Sequence, residues 1–387
     1  MSDTEIYKLK DTILLVEPGS FLAVENGDIV RGGSISTHKT ALAMSKVYDV
    51  HILTSHKRYK FGVFKIKGIT IHNIRTVSYP KSGFLFILLL KFLFSIELNK
   101  LLKVLKPKLI ISQANLLGPS VRCAEKYDIK SAVWIRAFEN FYDRNLTQNT
   151  SFIRKVNFFL KSILFKFSDK KAIRKADLVL TNSIFMQRLI ESRFQKKSTV
   201  IYPAVDSRCK LKEHSPSTNK KNIVIMNPTK DKGLYVILKI AEKLKNINFY
   251  YYGKKPDNCL SLETLYPNVQ FKGWESNLEI IFKNAKLLLV PSMWEEPFGR
   301  VSVEATSHNV IPIVSKVGGL PETVSFDSRL IIDNVEDIDE WCKKIERLLS
   351  NLGEYESIMN SLSEHVAVYN IDRQGEALLE EVGKIIR

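Results

Sequence analysis

Cysteine is scarce in this chain. There are four in 387 residues (Cys123, Cys209, Cys259 and Cys342), none in a CxxC pair and none beside a histidine at metal-ligand spacing. That excludes a disulfide scaffold and a zinc ribbon, and reads as a reduced protein of the cytosol. The polar opening MSDTEIYKLK lacks the apolar stretch of a signal peptide. The most apolar run, GFLFILLLKFLFSI at 83–96, is interrupted by Lys91. It also falls short of the roughly 20 residues that a spanning helix needs.

Acidic residues are scarce in only one half. Residues 1–205 hold 34 Lys and Arg against 15 Asp and Glu, a net of +19; the remainder holds 24 against 26, a net of −2, which together give the overall +17. A Lys-rich composition alone produces the same sign, but confinement to one half points to an anionic partner. Of the hydrophobic segments, 151–177 mixes Phe, Leu and Ile with eight Lys and Arg. That pattern fits a basic amphipathic helix on an anionic membrane surface, and equally a helix burying one face on its own sheet. Segment 83–96 reads first as core.

Short apolar runs alternate with helical patterns throughout. Strands are expected at 12–17, 49–54, 68–74, 108–113, 131–136 and 178–183, then at 222–227, 249–253, 269–273, 287–292 and 311–315. Continuous apolar strands are buried on both faces, as in parallel sheets. Alternation in both halves predicts two doubly wound α/β domains. The boundary is placed near residue 205, with the polar stretch 207–221 as linker, giving domains 1–205 and 206–370. The last helix, 371–387, is amphipathic and placed to cross back to the first domain.

In such sheets ligands bind beyond the carboxyl ends of the strands. Four loops there carry suggestive residues. After the first strand, Gly32 and Gly33 precede a helix expected to begin near Ser34 or Ser36. After NIVIMN, Lys230, Lys232 and Gly233 open the next helix and offer a diphosphate two ammonium groups and free amides. After LLLVPS comes EEPFGRVSVEA, where Pro297 sets a turn and Gly299 admits close approach. A helix is expected from about Arg300 through Ala305. Glu304, on its first turns, can accept paired hydrogen bonds from vicinal hydroxyls, and Glu296 suits sugar hydroxyls. After IPIVS, Gly318-Gly319 and Pro321-Glu322 form a further strand–turn–helix.

The stretch EEPFGRVSVEATSHNVIPIVSKVGGLPETV closely resembles the nucleotide-sugar signature of retaining glycosyltransferases of family 4, which have the GT-B fold. The Glu–seven residues–Glu spacing, PFG and GGLPE stand in register, with VIYPAVD ahead of the second domain and KG after its first strand. The resemblance implies two Rossmann-like domains facing each other across a cleft. It implies that Glu304 holds the ribose and that Glu296 and the amides around Phe298 and Gly299 hold the donor sugar. It implies that Lys232 neutralises the departing diphosphate, making Glu296 and Lys232 the catalytic pair. Arg300, Lys230, Asn227 and Gly233 join the donor-binding set, and Gly33 lies against phosphate or acceptor.

Two positions depart from the family pattern. Asn227 stands where an arginine is common, leaving Lys230 as the nearest substitute. Arg136 stands where a histidine is frequent, and an arginine cannot act as a base; with Gly32 it forms the acceptor-side set. The implied reaction is transfer of a sugar from a UDP- or GDP-sugar, with retention, to a glycan or polyprenyl-linked acceptor in surface-polysaccharide synthesis. Neither cofactor nor metal is expected: the one Asp-x-Asp, Asp337-Ile338-Asp339, reads as a helix start. Localisation is expected to be cytoplasmic and peripheral on the inner face of the plasma membrane, through 83–96 and 151–177. A sugar-nucleotide epimerase or a phosphorylase on the same scaffold, or nucleic-acid binding by the basic domain, are the competing readings. No aromatic-basic RNA motif supports the last.

Overall fold

The computed structural model describes residues 10–28, 32–75, 83–138, 152–205, 222–227 and 229–387, without the side chains of 152–155. The expected linker 207–221 lies outside the described residues. Two units emerge: one of residues 1–182, 186–202 and 374–387, the other of 183–185 and 203–373.

Unit 1 is built on eight strands: β1 (Thr12–Val16), β2 (Asp49–Thr54), β3 (Gly62–Ile66), β4 (Ile69–Asn73), β5 (Leu109–Gln113), β6 (Lys130–Ile135), β7 (Leu178–Thr181) and β8 (Thr199–Val200). Their order across the sheet is β3-β4-β2-β1-β5-β6-β7-β8. All pairs are parallel except β3 with β4. The expected strands are present. Edge strand β3 and the two-residue β8 are additions whose polar or brief sequence carries little period-2 signal. The helices are α1 (Ser20–Glu25), α2 (Gly32–Ser45), α3 (Phe84–Leu105), α4 (Leu117–Lys126), α5 (Phe152–Phe167), α6 (Asp169–Lys175) and α7 (Ile184–Phe194).

Two expectations are corrected here. Gly32 and Gly33 do not precede a helix but form its first turn. The basic segment 151–177 is not one helix, since α5 ends at Phe167 and α6 begins after Ser168. One face of α3 is buried through Leu90, Phe94, Leu98 and Leu102, in the same core as Leu14 and Ile110. Lys91, the charge in that run, is buried and ion-paired with buried Asp169.

Unit 2 has six strands, all parallel: β9 (Asn222–Met226), β10 (Phe249–Tyr252), β11 (Val269–Gly273), β12 (Ala285–Val290), β13 (Ile311–Ser315) and β14 (Ile331–Ile332). Their order is β11-β10-β9-β12-β13-β14. Every residue of β12 is buried, as a strand covered on both faces requires. Around it lie α8 (Leu234–Lys243), α9 (Cys259–Leu265), α10 (Leu278–Phe282), α11 (Arg300–Thr306), α12 (Leu320–Thr323), α13 (Ile338–Ser350) and α14 (Leu352–Val366). Asp337 caps α13, its side chain accepting from Glu340 N at 3.0 Å. The last helix, α15 (Ile371–Ile386), places Leu378 and Val382 in the unit 1 core with Met44 and Ile52. Gln374 Nε2 ties it to Tyr202 O at 2.7 Å and to Ser36 Oγ at 3.2 Å.

Both sheets reverse their strand order beside a central strand, between β1 and β5 and between β9 and β12. Crevices at such reversals are where open α/β sheets bind ligands.

A histidine pair crosses β2 and β4. His51 Nδ1 and His72 Nε2 share a 2.9 Å hydrogen bond, and the rings stack with centroids 5.2 Å apart. Burial first, and the facing His51 second, lower the His72 pKa to about 4. The folded state therefore prefers the neutral ring. Its contribution is present above the unfolded value of about 6.5 and is lost as pH falls from there through about 4. In Tm measured against pH, His72→Gln should flatten that decline by an amount on the order of 1 kcal/mol, reduced by the ring's partial solvation. Identical slopes for wild type and variant would refute the assignment.

Candidate functional site

In unit 2, the chain leaving β9 reaches Asn227 in a left-handed conformation (φ 55°). Asparagine tolerates that region better than most residues. Asn227 N donates to Tyr252 O at 2.7 Å, and a side chain on Gly253 would meet its Oδ1 at 3.0 Å. Where helix-opening lysines were expected, Lys230–Lys232 form a single 3₁₀ turn, and α8 begins only after Gly233. Gly233 (φ 77°) is needed there, because a Cβ would lie 2.1 Å from Pro291 O.

That approach brings the β9 and β12 loops together. Lys232 Nζ and Glu296 form an ion pair although 64 residues separate them in sequence. Ser292 Oγ donates to Glu296 Oε1 at 2.8 Å. The Lys232 ammonium also sits 5.2 Å from the centroid of the Trp294 ring. Met293 N donates to Asp231 O at 3.0 Å, tying the loops through their backbones. Glu296 is 8% exposed. Lys230 is exposed and has no carboxylate partner among the described residues.

The glycines of these loops also make close contacts within the protein. A Cβ on Gly318 (φ 57°) would meet Glu296 O at 2.2 Å, and one on Gly319 would meet Pro297 O at 2.8 Å. Gly319 N donates to Glu296 O at 2.7 Å. A Cβ on Gly299 would strike Leu320 at 2.4 Å. These three glycines let the β12 and β13 loops pack on each other, which fixes Glu296. Phe298 is likewise a packing residue: its ring is buried and edge-on to Tyr369 at 5.3 Å, so only its backbone faces the loop's polar side. Glu322 is buried and accepts from the N–H groups of Ile184 and Phe185 at 2.8 and 2.7 Å. On α11, Glu304 is ion-paired to Arg300 one turn earlier, Arg300 Nε donating to Oε1 at 2.5 Å.

In unit 1, a second cluster lies at the β1/β5 reversal. Arg136, just beyond β6, stacks on Trp134 at 3.6 Å. Its Nη1 donates to Thr37 Oγ1 at 2.6 Å, to Gln113 Oε1 at 3.1 Å and to Gly33 O at 3.2 Å. The structure thus brings together Arg136, expected on the acceptor side, and Gly33, expected against phosphate or acceptor. Among the described residues, none comes within 4 Å of the position a Cβ on Gly33 would take. Sequence reasoning missed Thr37 and Gln113. Both had a positional signal: Gln113 ends a strand, and Thr37 lies one helical turn after Gly33. It also missed Glu17, at the end of β1. Glu17 is buried beneath Thr54 Oγ1 (2.5 Å), and its carboxylate accepts from the N–H groups of Ser20 and Phe21. Burial pushes this carboxyl up, and those three donors oppose the rise. A cavity of about 20 Å³ adjoins Glu17, Thr37, Gln113 and Arg136. It is large enough for one water.

Residues 208–362 match the family model for glycosyl transferases group 1. The match covers two fifths of the chain and falls entirely in unit 2. Among curated relatives, an uncharacterised 42.6 kDa protein in the cps region of Klebsiella pneumoniae is 29% identical over 39% of this chain and 41% of its own length. A D-inositol 3-phosphate glycosyltransferase of Mycobacterium ulcerans is 31% identical over 29% of this chain and 24% of its own. The matched stretch is thus less than half of either relative. Among solved structures, sucrose-phosphate synthase from Thermosynechococcus elongatus superposes with a TM-score of 0.76 at 15% identity, covering 97% of this chain and 99% of that one. The HepE protein of Anabaena, solved with UDP and glucose, gives 0.66 at 15% identity over 96% and 99%. The fold is therefore that of GT-B glycosyltransferases, with two Rossmann-like parallel-sheet domains, as the signature implied.

Proposed function

We propose that the chain is a retaining glycosyltransferase that moves a sugar from a nucleoside-diphosphate sugar to a hydroxyl of a glycan or polyprenyl-linked acceptor. The observation that carries this is the Lys232–Glu296 pair at the unit 2 strand reversal, inside the matched residues 208–362. An incoming diphosphate competes with the carboxylate for Lys232. Displaced, Glu296 turns its oxygens to the hydroxyls of the donor sugar while Ser292 keeps it oriented. Lys230 adds charge where Asn227 supplies none. Glu304 exchanges Arg300 for the ribose hydroxyls. The UDP complex of the Anabaena protein supports a nucleotide donor, and the cps-region relative supports polysaccharide synthesis.

The bond from the sugar's anomeric carbon to the diphosphate oxygen breaks while the bond to the acceptor oxygen forms on the same face. The departing oxygen takes the acceptor's proton, so no protein carboxylate need act as nucleophile. Lys232 stabilises charge as it develops, and the fixed loop holds the sugar in place. Arg136 and Gly32 serve the acceptor, and Gly33 lies against phosphate or acceptor. No metal is needed on this account. No described helix is long and apolar enough to cross a membrane; work at the inner face of a membrane, in the cytoplasm, suits a lipid-linked acceptor.

The test is a thermal-shift titration with UDP and GDP in EDTA. One nucleotide should raise Tm, and Glu304→Ala should need about 10- to 100-fold more of it. That range corresponds to roughly 1.5–3 kcal/mol for hydrogen bonds to a charged group. An undiminished response in Glu304→Ala would sink the ribose role, and a response abolished by EDTA would sink the metal-free site. No response to either nucleotide would sink the donor reading.

A further inference from the structure

Helices α3 and α5 of unit 1 pack side by side. At the end where both begin, Phe84 N donates to Asn157 Oδ1 at 2.7 Å. Each carries a set of four exposed apolar residues at the same spacing: Leu85, Leu88, Phe92 and Ile96 on α3, where exposed Val104 stands apart, and Val156, Phe159, Ile163 and Phe167 on α5. At 3.6 residues per turn, steps of three, four and four keep each set within about 80° of arc. Each set is therefore one stripe. Burial elsewhere does not account for them, because α3 enters the core through its other face. Phe92, Phe159 and Phe167 are 60, 61 and 70% exposed. Scattered apolar surface is ordinary, but two adjacent stripes of this kind mark an interaction face.

Charge selects the occupant. From 152 to 175 the sequence holds eight Lys and Arg and one acid, Asp169, which is buried with Lys91. Lys161, Lys166, Lys170, Lys171 and Arg174 have no carboxylate partner among the described residues. A second copy of the chain would set these cations against their like. An anionic bilayer would neutralise them and receive the stripes.

We propose that α3 and α5 form a two-helix platform lying on an anionic lipid surface. The eight apolar side chains enter the boundary between headgroups and acyl chains, and the cations of α5 and α6 meet lipid phosphates. This goes beyond sugar transfer and does not depend on it, because binding is read with no donor present.

The experiment is flotation of the full chain with vesicles of equal parts phosphatidylglycerol and phosphatidylcholine, and with phosphatidylcholine alone. The chain should float with the anionic vesicles only and be released by high salt. The double variant Phe92→Ser/Phe159→Ser should bind about tenfold or more weakly with an unchanged Tm. Lys166→Glu/Lys171→Glu, at two exposed lysines, should lose binding through charge alone. Leu265→Ser, at an exposed apolar position of unit 2, should bind as wild type. Failure of the wild type to float, or undiminished binding by both double variants, overturns the proposal. So does a wild-type dimer that the Phe92/Phe159 variant converts to monomer, which would assign the face to a second copy.

Discussion

Lys232→Ala should lower kcat for sugar transfer by about 10²- to 10³-fold, the loss typical of removing one preorganised group that stabilises developing charge. Donor affinity should fall much less, because Lys230 and the loop amides remain. The stability effect is also bounded. Lys232 keeps 31% of its side chain exposed, and Glu296 retains the Ser292 hydroxyl when the ammonium is gone. A loss of about 1–2 kcal/mol is expected from leaving that carboxylate partly unpaired. Glu296→Gln separates the two roles. It relieves the unpaired charge but weakens the hold on sugar hydroxyls, so KM should rise as kcat falls. A Lys232→Ala enzyme with near-normal kcat would leave the diphosphate without its counter-charge and end this mechanism.

Lys91→Ala should be the most damaging single change to folding. Its ammonium is 5% exposed and pairs with Asp169, 1% exposed, whose Oδ1 also accepts from Gly118 N at 3.3 Å. Burial lowers the Lys91 pKa, and the Asp169 charge opposes that fall, so the pair is held by mutual need. Removing one partner strands a buried carboxylate, at roughly 3–5 kcal/mol. For a chain of this size that is a Tm loss of about 4–6 °C. Replacing both, as Lys91→Met with Asp169→Leu, should recover most of the loss, since apolar residues of similar volume often match a buried pair. Thermal melts of the two variants decide the matter. An equal Tm for Lys91→Ala and wild type would mean that the pair is open to water.

The fold was legible because its strands are apolar on both faces. NIVIM and LLLV leave few alternatives to a buried parallel strand, and the strand–helix alternation does the rest. Boundaries depending on one residue's backbone were less legible. Nothing in GGSIS distinguishes glycines before a helix from glycines within its first turn. The lysine turn at 230–232 hides behind Gly233, whose left-handed φ delays α8.

At the site, strand ends and the glutamate spacing located the right loops, while the pairings within them stayed hidden. That Lys232 meets Glu296, or Arg300 meets Glu304, depends on distances no spacing encodes. At Phe298 the motif pointed to the backbone amide, while the packing of its ring on Tyr369 was not visible in the sequence. Glu17 was read as the end of a strand, when its carboxylate caps the turn that follows.

The contact of Gly318 and Gly319 with the Glu296 backbone sets the terms on which this site can be redesigned. Two loops that touch main chain to main chain leave no slack for a graft. A segment transplanted at 291–299 from a protein of the same fold would have to arrive with its own copy of 315–320. Trp294 meets the Lys232 ammonium through its side chain, which can be exchanged singly. A search for altered sugar preference would therefore gain most from a small library at that position, with Ser292 and the glycines left untouched.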